Sequence, residues 1–357
     1  MNQIKLPGSA RVVRSVRYLG PAPRPATSEW ALAGQDGGQS IPLGDGQTLF
    51  VFSDTLLALR TARPPRHPPS VPTPPGTRGL VLANTGGLAT AGDFRAALAG
   101  LRYYSDEDGL PREILPATPA EQARQLRFWP EHGISVGDRV VLFYLGIQTL
   151  DPAHAWAFRN LGVGLALLDP ATGACERLER RDGWRLWKTI ADDFHLGVQV
   201  LQHEEHVYAF ASVRQGISTS VRLARAPLAS LTDPDAYEYL QALQAPGPRW
   251  TPRLADALDL GPCAPEYSVS YNAHLGRYLL FYVDEHAKTL ELRTADALWG
   301  PYSPPARVTR VPHAAGSEMV YLGFEHPGYR QEEERQLFLS YSQPHFAANS
   351  LLTLRLA

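Results

Sequence analysis

One strand pattern occurs five times along this chain of 357 residues. Each copy is a run of aliphatic and aromatic residues that follows a polar or glycine-bearing turn. The copies lie at residues 48–54, 139–145, 206–212, 277–283 and 336–342. Their first residues are 91, 67, 71 and 59 positions apart, close to one fifth of the chain. Strand modules at such a period, with little helix between them, are typical of a β-propeller.

The five runs are apolar at both odd and even positions, as in strands that neighbouring sheets cover on both faces. Outer strands are visible at 164–168, 220–224, 290–294 and 351–356. Helix is predicted only at 92–99 and 119–126, where Asp93 and Thr118 are suitable N-caps. We therefore predict an all-β, five-bladed β-propeller that forms a single domain over residues 1–357. A six-bladed propeller is the alternative if the 91 residues between the starts of the first two copies include a further blade.

Residues 60–79 are rich in proline and arginine. Proline restricts the backbone and removes an amide donor, so this segment is neither regular helix nor central strand. We expect a Pro-rich surface loop, either a simple insertion or a flap beside a functional site.

Composition excludes several classes of function. The net charge of −2 gives no support for binding to nucleic acid or to an anionic membrane. No stretch reaches the 18 apolar residues of a membrane span, and the charged first 20 residues do not resemble a signal peptide. We expect a cytoplasmic protein without cofactor or metal, in which Cys175 and Cys263 are free thiols.

Two carboxylates flank the first predicted hairpin. Asp36 precedes a short apolar run and the turn Gly44-Asp45-Gly46, and Asp54 ends the strand that follows. If the loop has three residues, positions 36 and 54 are opposite each other, with Cβ atoms about 4.5–5.5 Å apart. Retaining glycosidases hold their two carboxyl groups about 5–5.5 Å apart. A two-residue loop would instead send the two side chains to opposite faces.

Each acid also has a purely structural interpretation. Asp45 is expected to be a turn residue, because aspartate before glycine bonds its own backbone. Asp36 precedes Gly37 and could serve the same purpose. Asp54 ends an apolar strand, where a charge is costly unless it is paired or used, so a hydrogen-bonded structural role and a catalytic one both remain open.

Other candidates lie near the starts of the five runs. One or more acids precede each run: Asp36, Glu131, Asp192, Asp193, Glu266 and Glu318. Aromatic neighbours of these acids could stack on sugar rings or pack in the core: Trp129, Tyr267 and Tyr321. Three further polar residues could bond hydroxyl groups or face the channel of a propeller: Asn84, Arg293 and His326. His203 and His206 fall on a predicted turn, which does not suit a helical zinc motif.

Several segments resemble glycoside hydrolase family 183, formerly domain-of-unknown-function family 4185. They are 36–40 with 45–55, 266–272 with 276–278, 299–302, and His326-Pro327 with 337–342. The resemblance spans about residues 34–356. It implies a five-bladed propeller and an endo-acting enzyme on arabinofuranosyl polymers such as D-arabinan. The catalytic aspartates of the family map onto Asp36 and Asp54, although Ser53 replaces the usual glycine and no leader is seen.

We therefore predict a retaining glycoside hydrolase, with Asp36 as nucleophile and Asp54 as acid/base. Burial beside Phe52 should raise the pKa of Asp54, which suits an acid. The predicted substrate contacts are Asn84, Trp129, Glu131, Glu266, Tyr267, Arg293, Glu318, Tyr321 and His326. The alternatives are a cytosolic glycoside phosphorylase, for which Arg293 and His326 could hold phosphate, and a non-catalytic glycan-binding propeller.

Overall fold

The computed structural model describes residues 12–60, 69–70, 79–152, 154, 156–179, 186–188, 194–245, 247–315, 317, 319–343 and 349–357. These residues form five antiparallel sheets, which are the blades of a five-bladed β-propeller. The chain divides into two compact units. The first unit comprises Ala22–Ala191 and His345–Asn349, and the second comprises Met1–Pro21, Asp192–Pro344 and Ser350–Ala357. Strand β1 (Val13–Pro21) belongs to the second unit.

The first blade lies in the first unit. Its strands are β2 (Trp30–Pro42), β3 (Gln47–Leu59), β4 (Leu80–Leu82), β5 (Thr85–Thr90) and β6 (Arg102–Tyr103). The sheet order is β2-β3-β5-β6, and β4 also pairs with β3. Helix α1 (Phe94–Ala99) is N-capped by Asp93, and α2 (Pro119–Ala123) has a capping box at Thr118, as predicted. The second helix is shorter than predicted, because residue 126 already begins the next strand.

The second blade completes the first unit. Its strands are β7 (Leu126–Val136), β8 (Arg139–Thr149), β9 (Phe158–Leu168), β10 (Cys175–Arg177) and β11 (Leu186–Lys188). The order is β10-β9-β8-β7, and β11 pairs with β9. Leu49 and Val51 of the first blade join Phe128, Leu142 and Tyr144 of the second in one buried apolar cluster. This packing brings the polar residues of β3 and β7 close together.

The second unit contains the other three blades. The third blade consists of β12 (Phe194–His203), β13 (His206–Gln215), β14 (Ser218–Pro227), β15 (Glu238–Gln244) and β16 (Gly247–Thr251). The fourth consists of β17 (Ser268–Asn272), β18 (Arg277–Asp284), β19 (Thr289–Ala295) and β20 (Ala306–Arg310). The fifth consists of β21 (Tyr321–Glu325), β22 (Gln336–Ser342) and β23 (Ser350–Leu356), with β1 paired to β23. Short 3-10 helices lie at Leu228–Ser230, Pro234–Ala236, Leu254–Asp256 and Pro327–Tyr329.

The five repeated runs are the second strands of their blades, namely β3, β8, β13, β18 and β22. Each has a hydrogen-bonded strand on both sides. Side chains at both odd and even positions of these strands are buried, which agrees with their continuous apolar character. The predicted outer strands lie in β9, β14, β19 and β23. Between the first two runs the described residues contain β4 to β7 and two helices but no additional sheet, so the six-bladed alternative is wrong.

The predictions for the two cysteines and for the histidine pair are confirmed. Cys175 and Cys263 are free thiols. His203 and His206 border the turn between β12 and β13, as predicted. Among the described residues, no helix combines the length and apolar character that crossing a membrane requires.

Candidate active site

The hairpin of β2 and β3 closes through the predicted three-residue loop, and residues 39–42 pair with residues 48–51 in the register that this loop sets. The amide of Leu43 donates to the carbonyl of Gln47 at 3.0 Å, which leaves residues 44–46 as the loop. Asp45 Oδ1 accepts the amide of Gln47 at 2.9 Å, so its interpretation as a turn residue is confirmed.

The ladder between these strands is irregular next to Asp36. Gln35 pairs with Thr55, the partner that the three-residue loop predicts. Gly37 pairs with Phe52 instead of Ser53, so the register shifts by one residue between Gln35 and Gly37. Asp36 therefore faces a bulge in β3 that includes Asp54. Such bulges redirect side chains and are frequent beside active sites.

Gly37 permits this bulge. Its φ of +82° lies in the left-handed region, and a Cβ at this position would lie 3.0 Å from the amide nitrogen of Ser53. Glycine adopts this conformation without the steric cost that other residues meet. The carbonyl of Gly37 accepts a hydrogen bond from Asn349 Nδ2 at 2.7 Å. The backbone after Asp36 is thus fixed from two sides.

Two side chains of β7 hold the carboxylate of Asp54. Trp129 Nε1 donates to Oδ1 at 3.0 Å, and Arg127 Nη1 lies 3.3 Å from Oδ2. The side chains of Asp54 and Arg127 are only 13% and 9% exposed. Burial raises the pKa of Asp54 above its usual value, while the charge of Arg127 and the hydrogen bond from Trp129 oppose that rise. The predicted direction of this pKa shift is confirmed.

Arg127 is a site residue that the sequence analysis missed. Its guanidinium carbon lies 4.8 Å from the ring centre of Trp129 and 5.7 Å from that of Phe158. The two rings are 5.0 Å apart, edge to face. Arg127 and Trp129 occupy alternate positions of β7 and therefore share one face. That two-residue spacing is the signal in the sequence that could have identified Arg127 once Trp129 was selected.

Further titratable groups surround this pair. Glu131 is buried on β7. Its neighbour His132 has Nε2 at 3.3 Å from the carbonyl of Ser40, and burial lowers the pKa of His132 to about 4. His132 is thus neutral near pH 7.

Glu113 anchors the loop that contains Ser70. Its Oε1 accepts the amides of Ser70 at 3.1 Å and Ala83 at 2.8 Å, and Oε2 accepts the Ser70 hydroxyl. Burial raises the pKa of Glu113, and the nearby charge of Asp54 contributes to the same shift. The rest of the Pro-rich loop, apart from Arg60, Pro69 and Gly79, lies outside the described residues.

Asn84 is not available for a ligand. It is completely buried, and its Oδ1 accepts the amides of Ile114 and Leu115, both at 2.9 Å. Its Nδ2 donates to the carbonyls of Leu115 at 3.1 Å and Phe128 at 3.0 Å. Because the amide is fully used inside the protein, Asn84 holds the segment before α2 and has no donor left for a sugar hydroxyl.

Three predicted contacts in the second unit are likewise structural. Tyr267 is buried and donates its hydroxyl to the carbonyl of Ala211 at 2.8 Å. The buried guanidinium of Arg293 donates to three main-chain carbonyls at 2.6–2.9 Å. His326 is 1% exposed, with Nε2 at 2.9 Å from the hydroxyl of Ser340. These side chains form hydrogen bonds within the protein interior.

The remaining predicted residues are less constrained. Glu266 and Tyr321 are half-buried in the second unit. Glu318, Asp192 and Asp193 lie outside the described residues. Within the part of the chain that the structure describes, no group of three or more His, Cys, Asp or Glu side chains could hold a metal ion.

Comparison with known proteins gives a family and a fold. Residues 22–346 match the family described as "Domain of unknown function (DUF4185)". No curated protein matches the chain. A crystal structure from Bacteroides ovatus, described as that of a candidate hydrolase, is 15% identical with a TM-score of 0.61, over 98% of this chain and 93% of that one. This likeness is one of fold.

Two glycoside hydrolase structures are more distant. The catalytic domain of the Coprinopsis cinerea GH62 α-L-arabinofuranosidase is 11% identical over 95% of this chain and 97% of that one, with a TM-score of 0.44. The GH43_1 enzyme of Xanthomonas citri is 14% identical over 89% of this chain and 87% of that one, with a TM-score of 0.45.

Proposed function

The chain belongs to the DUF4185 family, and on that premise we propose that it is a glycoside hydrolase with Asp36 and Asp54 as its paired carboxylates. The observation that supports this most is the environment of Asp54. A largely buried carboxylate with a raised pKa, between an indole N–H and a guanidinium, suits proton transfer to a glycosidic oxygen.

The register of the hairpin supports the pairing of the two acids. Gln35 Nε2 bonds Thr55 Oγ1 at 3.4 Å, so these two side chains share a face. Asp36 and Asp54 adjoin this pair in the chain, and Asp36 lies opposite the bulge that contains Ser53 and Asp54, so we expect the two carboxylates to lie near each other. Regularly paired residues have Cβ atoms about 4.5–5.5 Å apart, and retaining enzymes hold their carboxyl groups about 5–5.5 Å apart.

The proposed reaction has two steps. Protonated Asp54 gives its proton to the leaving oxygen while the carboxylate of Asp36 attacks the anomeric carbon and forms a glycosyl-enzyme ester. The Asp54 carboxylate then takes a proton from water, whose oxygen displaces Asp36 from the anomeric carbon. Arg127 and Trp129 hold Asp54 in place, and they stabilise its charged form so that the proton can leave.

The substrate class follows from the family resemblance, which points to arabinofuranosyl polysaccharides or oligosaccharides. Trp129 and Glu131 are the proposed contacts on β7, the strand whose side chains hold Asp54, and Glu266, Glu318 and Tyr321 stay predictions from the sequence. A glycoside phosphorylase would need cationic groups for phosphate. The two residues predicted for that role, Arg293 and His326, are bonded within the protein. Arg127 is a cation beside Asp54 but pairs with that acid, so the phosphate dependence of turnover decides between the two enzymes.

Turnover of a glycan panel by matched variants tests the proposal. We expect the wild type to release reducing ends from arabinan without phosphate. Asp36→Asn and Asp54→Asn should each lower kcat by about 10²–10⁴. Asp45→Asn, which changes the turn of the same hairpin, should keep activity. Retention at the anomeric carbon, followed by NMR, would support the covalent step.

The same experiment separates the alternatives. Strict dependence on phosphate would replace the hydrolase with a phosphorylase. Glycan binding without turnover of any panel member would indicate a non-catalytic binding propeller.

A further inference from the structure

The turn between β8 and β9 exposes two large apolar side chains. Leu150 is 58% exposed and Trp156 is 55% exposed. Single apolar residues are common on protein surfaces. An indole has a large apolar area, however, and leaving it in water forgoes the free energy that its burial would contribute. An exposed tryptophan beside a second exposed apolar residue is therefore a candidate contact for a ligand.

Hydrogen bonds close this turn. The amide of Leu150 donates to the carbonyl of Ala157 at 2.7 Å, and the amide of Ala157 donates to the carbonyl of His154 at 3.0 Å. The side chains of His154 and Asp151 also bond each other at 2.8 Å. The backbone at Ala157, next to Trp156, is thus held by hydrogen bonds to Leu150 and His154.

Trp156 lies two residues before an aromatic side chain that contacts Trp129, which bonds the proposed acid. Trp129 donates to Asp54 at 3.0 Å, and its ring centre is 5.0 Å from that of Phe158. Phe158 begins β9, and Trp156 precedes it by two residues. Their Cα atoms are therefore at most about 7 Å apart. Asp54, Trp129, Phe158 and Trp156 all belong to the first unit.

The chemistry of the turn favours a sugar over a protein partner. Sugar rings place C–H groups against an aromatic face and keep their hydroxyls in water, so one exposed indole is sufficient. A protein interface would need a larger contiguous apolar surface. Here the apolar residues are accompanied by Asp151 and His154, whose side chains are 49% and 76% exposed.

We propose that Trp156 is a stacking platform for a sugar unit of the bound glycan that lies beyond the cleaved linkage. It would make the enzyme prefer long chains to short ones. This inference rests on the proposed function of Asp36 and Asp54, and it adds a second subsite and a dependence on substrate length.

Kinetics with arabinofuranosyl oligosaccharides of two and six units test the proposal. Trp156→Ala should lower kcat/KM for the six-unit substrate about tenfold, the effect of losing one aromatic contact, and leave the two-unit substrate unchanged. Trp156→Phe should restore most of the loss. Ile217→Ala, at a side chain 99% exposed on a hairpin of the second unit, is the matched control. Wild-type values for Trp156→Ala on both lengths would overturn the inference.

A binding measurement separates this inference from the proposed function. Calorimetric titration with the six-unit oligosaccharide would compare Asp36→Asn with the double variant that also contains Trp156→Ala. About tenfold weaker binding of the double variant supports the platform even if the wild type hydrolyses nothing. If the two variants bind equally well and the wild type is active, Trp156 does not contact the glycan, whereas the proposed hydrolase activity is unaffected by the result.

Discussion

Arg127 and Asp54 form an ion pair, 3.3 Å from Nη1 to Oδ2, in which both side chains are nearly buried. Removing two charges from water is expensive, so such a pair is weak evidence for stability alone. The burial of Asp54 raises its pKa more than Arg127 and Trp129 lower it. Arg127 therefore keeps the pKa of Asp54 lower than burial alone would make it. This yields a prediction about the pH dependence of activity.

Arg127→Met should shift the pH dependence of activity. Removal of the positive charge raises the pKa of Asp54 further, because the opposing interaction is lost. If Asp54 is the general acid, the alkaline limb of kcat/KM moves to higher pH, and kcat falls because the carboxylate loses a positioning contact. Arg127→Lys keeps the charge and should retain more of the wild-type profile. An alkaline limb that does not move in Arg127→Met would argue against Asp54 as the acid.

Asp54→Asn should become relatively more stable as pH rises. Because the pKa of Asp54 is raised in the folded protein, its proton stabilises the fold fully below the ordinary value of 3.8. That contribution is lost as pH rises through the raised value. Asparagine does not ionise, so the Tm of the variant relative to the wild type should increase as pH rises from below 3.8 through the raised pKa of Asp54. Thermal unfolding across this range measures it, with Asp45→Asn as control, and a constant difference would contradict the assignment.

Gly37→Ala should disturb both stability and activity. Gly37 and Gly44 have nearly the same φ, +82° and +79°. A Cβ added at Gly37 would lie within 4 Å of other atoms, whereas a Cβ added at Gly44 would not. Gly44→Ala should therefore cost about 1 kcal/mol for backbone strain. Gly37→Ala should cost about 1–3 kcal/mol more and lower kcat, because Ser53 must move beside the two acids. Urea unfolding and kinetics of the two variants provide the comparison; equal losses would mean that the close approach is unimportant.

Asn84→Ala should affect folding and not substrate affinity. It leaves two amides and two carbonyls without their partner in the interior, so the free energy of unfolding should fall by about 3 kcal/mol or more. Asn160→Ala removes the hydrogen bond that Asn160 Oδ1 accepts from the amide of Gly162 at 2.9 Å, at a site that is only partly buried, and should cost less than Asn84→Ala. Denaturant unfolding gives both values. A raised KM with unchanged stability would return Asn84 to the list of substrate contacts.

The features that the sequence predicted are those that depend on local signals. The five strands follow from their spacing, and the hairpin loop follows from Gly44 and Gly46 on either side of Asp45. Two helix starts follow from Asp93 and Thr118, because a capping side chain bonds an amide within the next turn. Strand period, turn composition and capping all act over a few residues, so they can be recognised without knowledge of the tertiary fold.

The rest depends on partners that are distant in the chain. The bulge beside Asp36 needs Gly37 to approach Ser53, and the ion pair of Asp54 involves Arg127 from another blade. Polar residues that were predicted as ligand contacts instead satisfy buried carbonyls, as Arg293 does. Sequence alone shows that a side chain can donate hydrogen bonds, but not whether the interior already uses them.

The hydrogen bond between Asn349 and Gly37 joins residues separated by 312 positions in the sequence. On the ribosome, the segment with Asp36 and Asp54 emerges long before Asn349 is added. A nascent chain therefore lacks one of the contacts that fix the backbone after Asp36 until Asn349 has been synthesised. The proposed hydrolase can reach full competence only after that point.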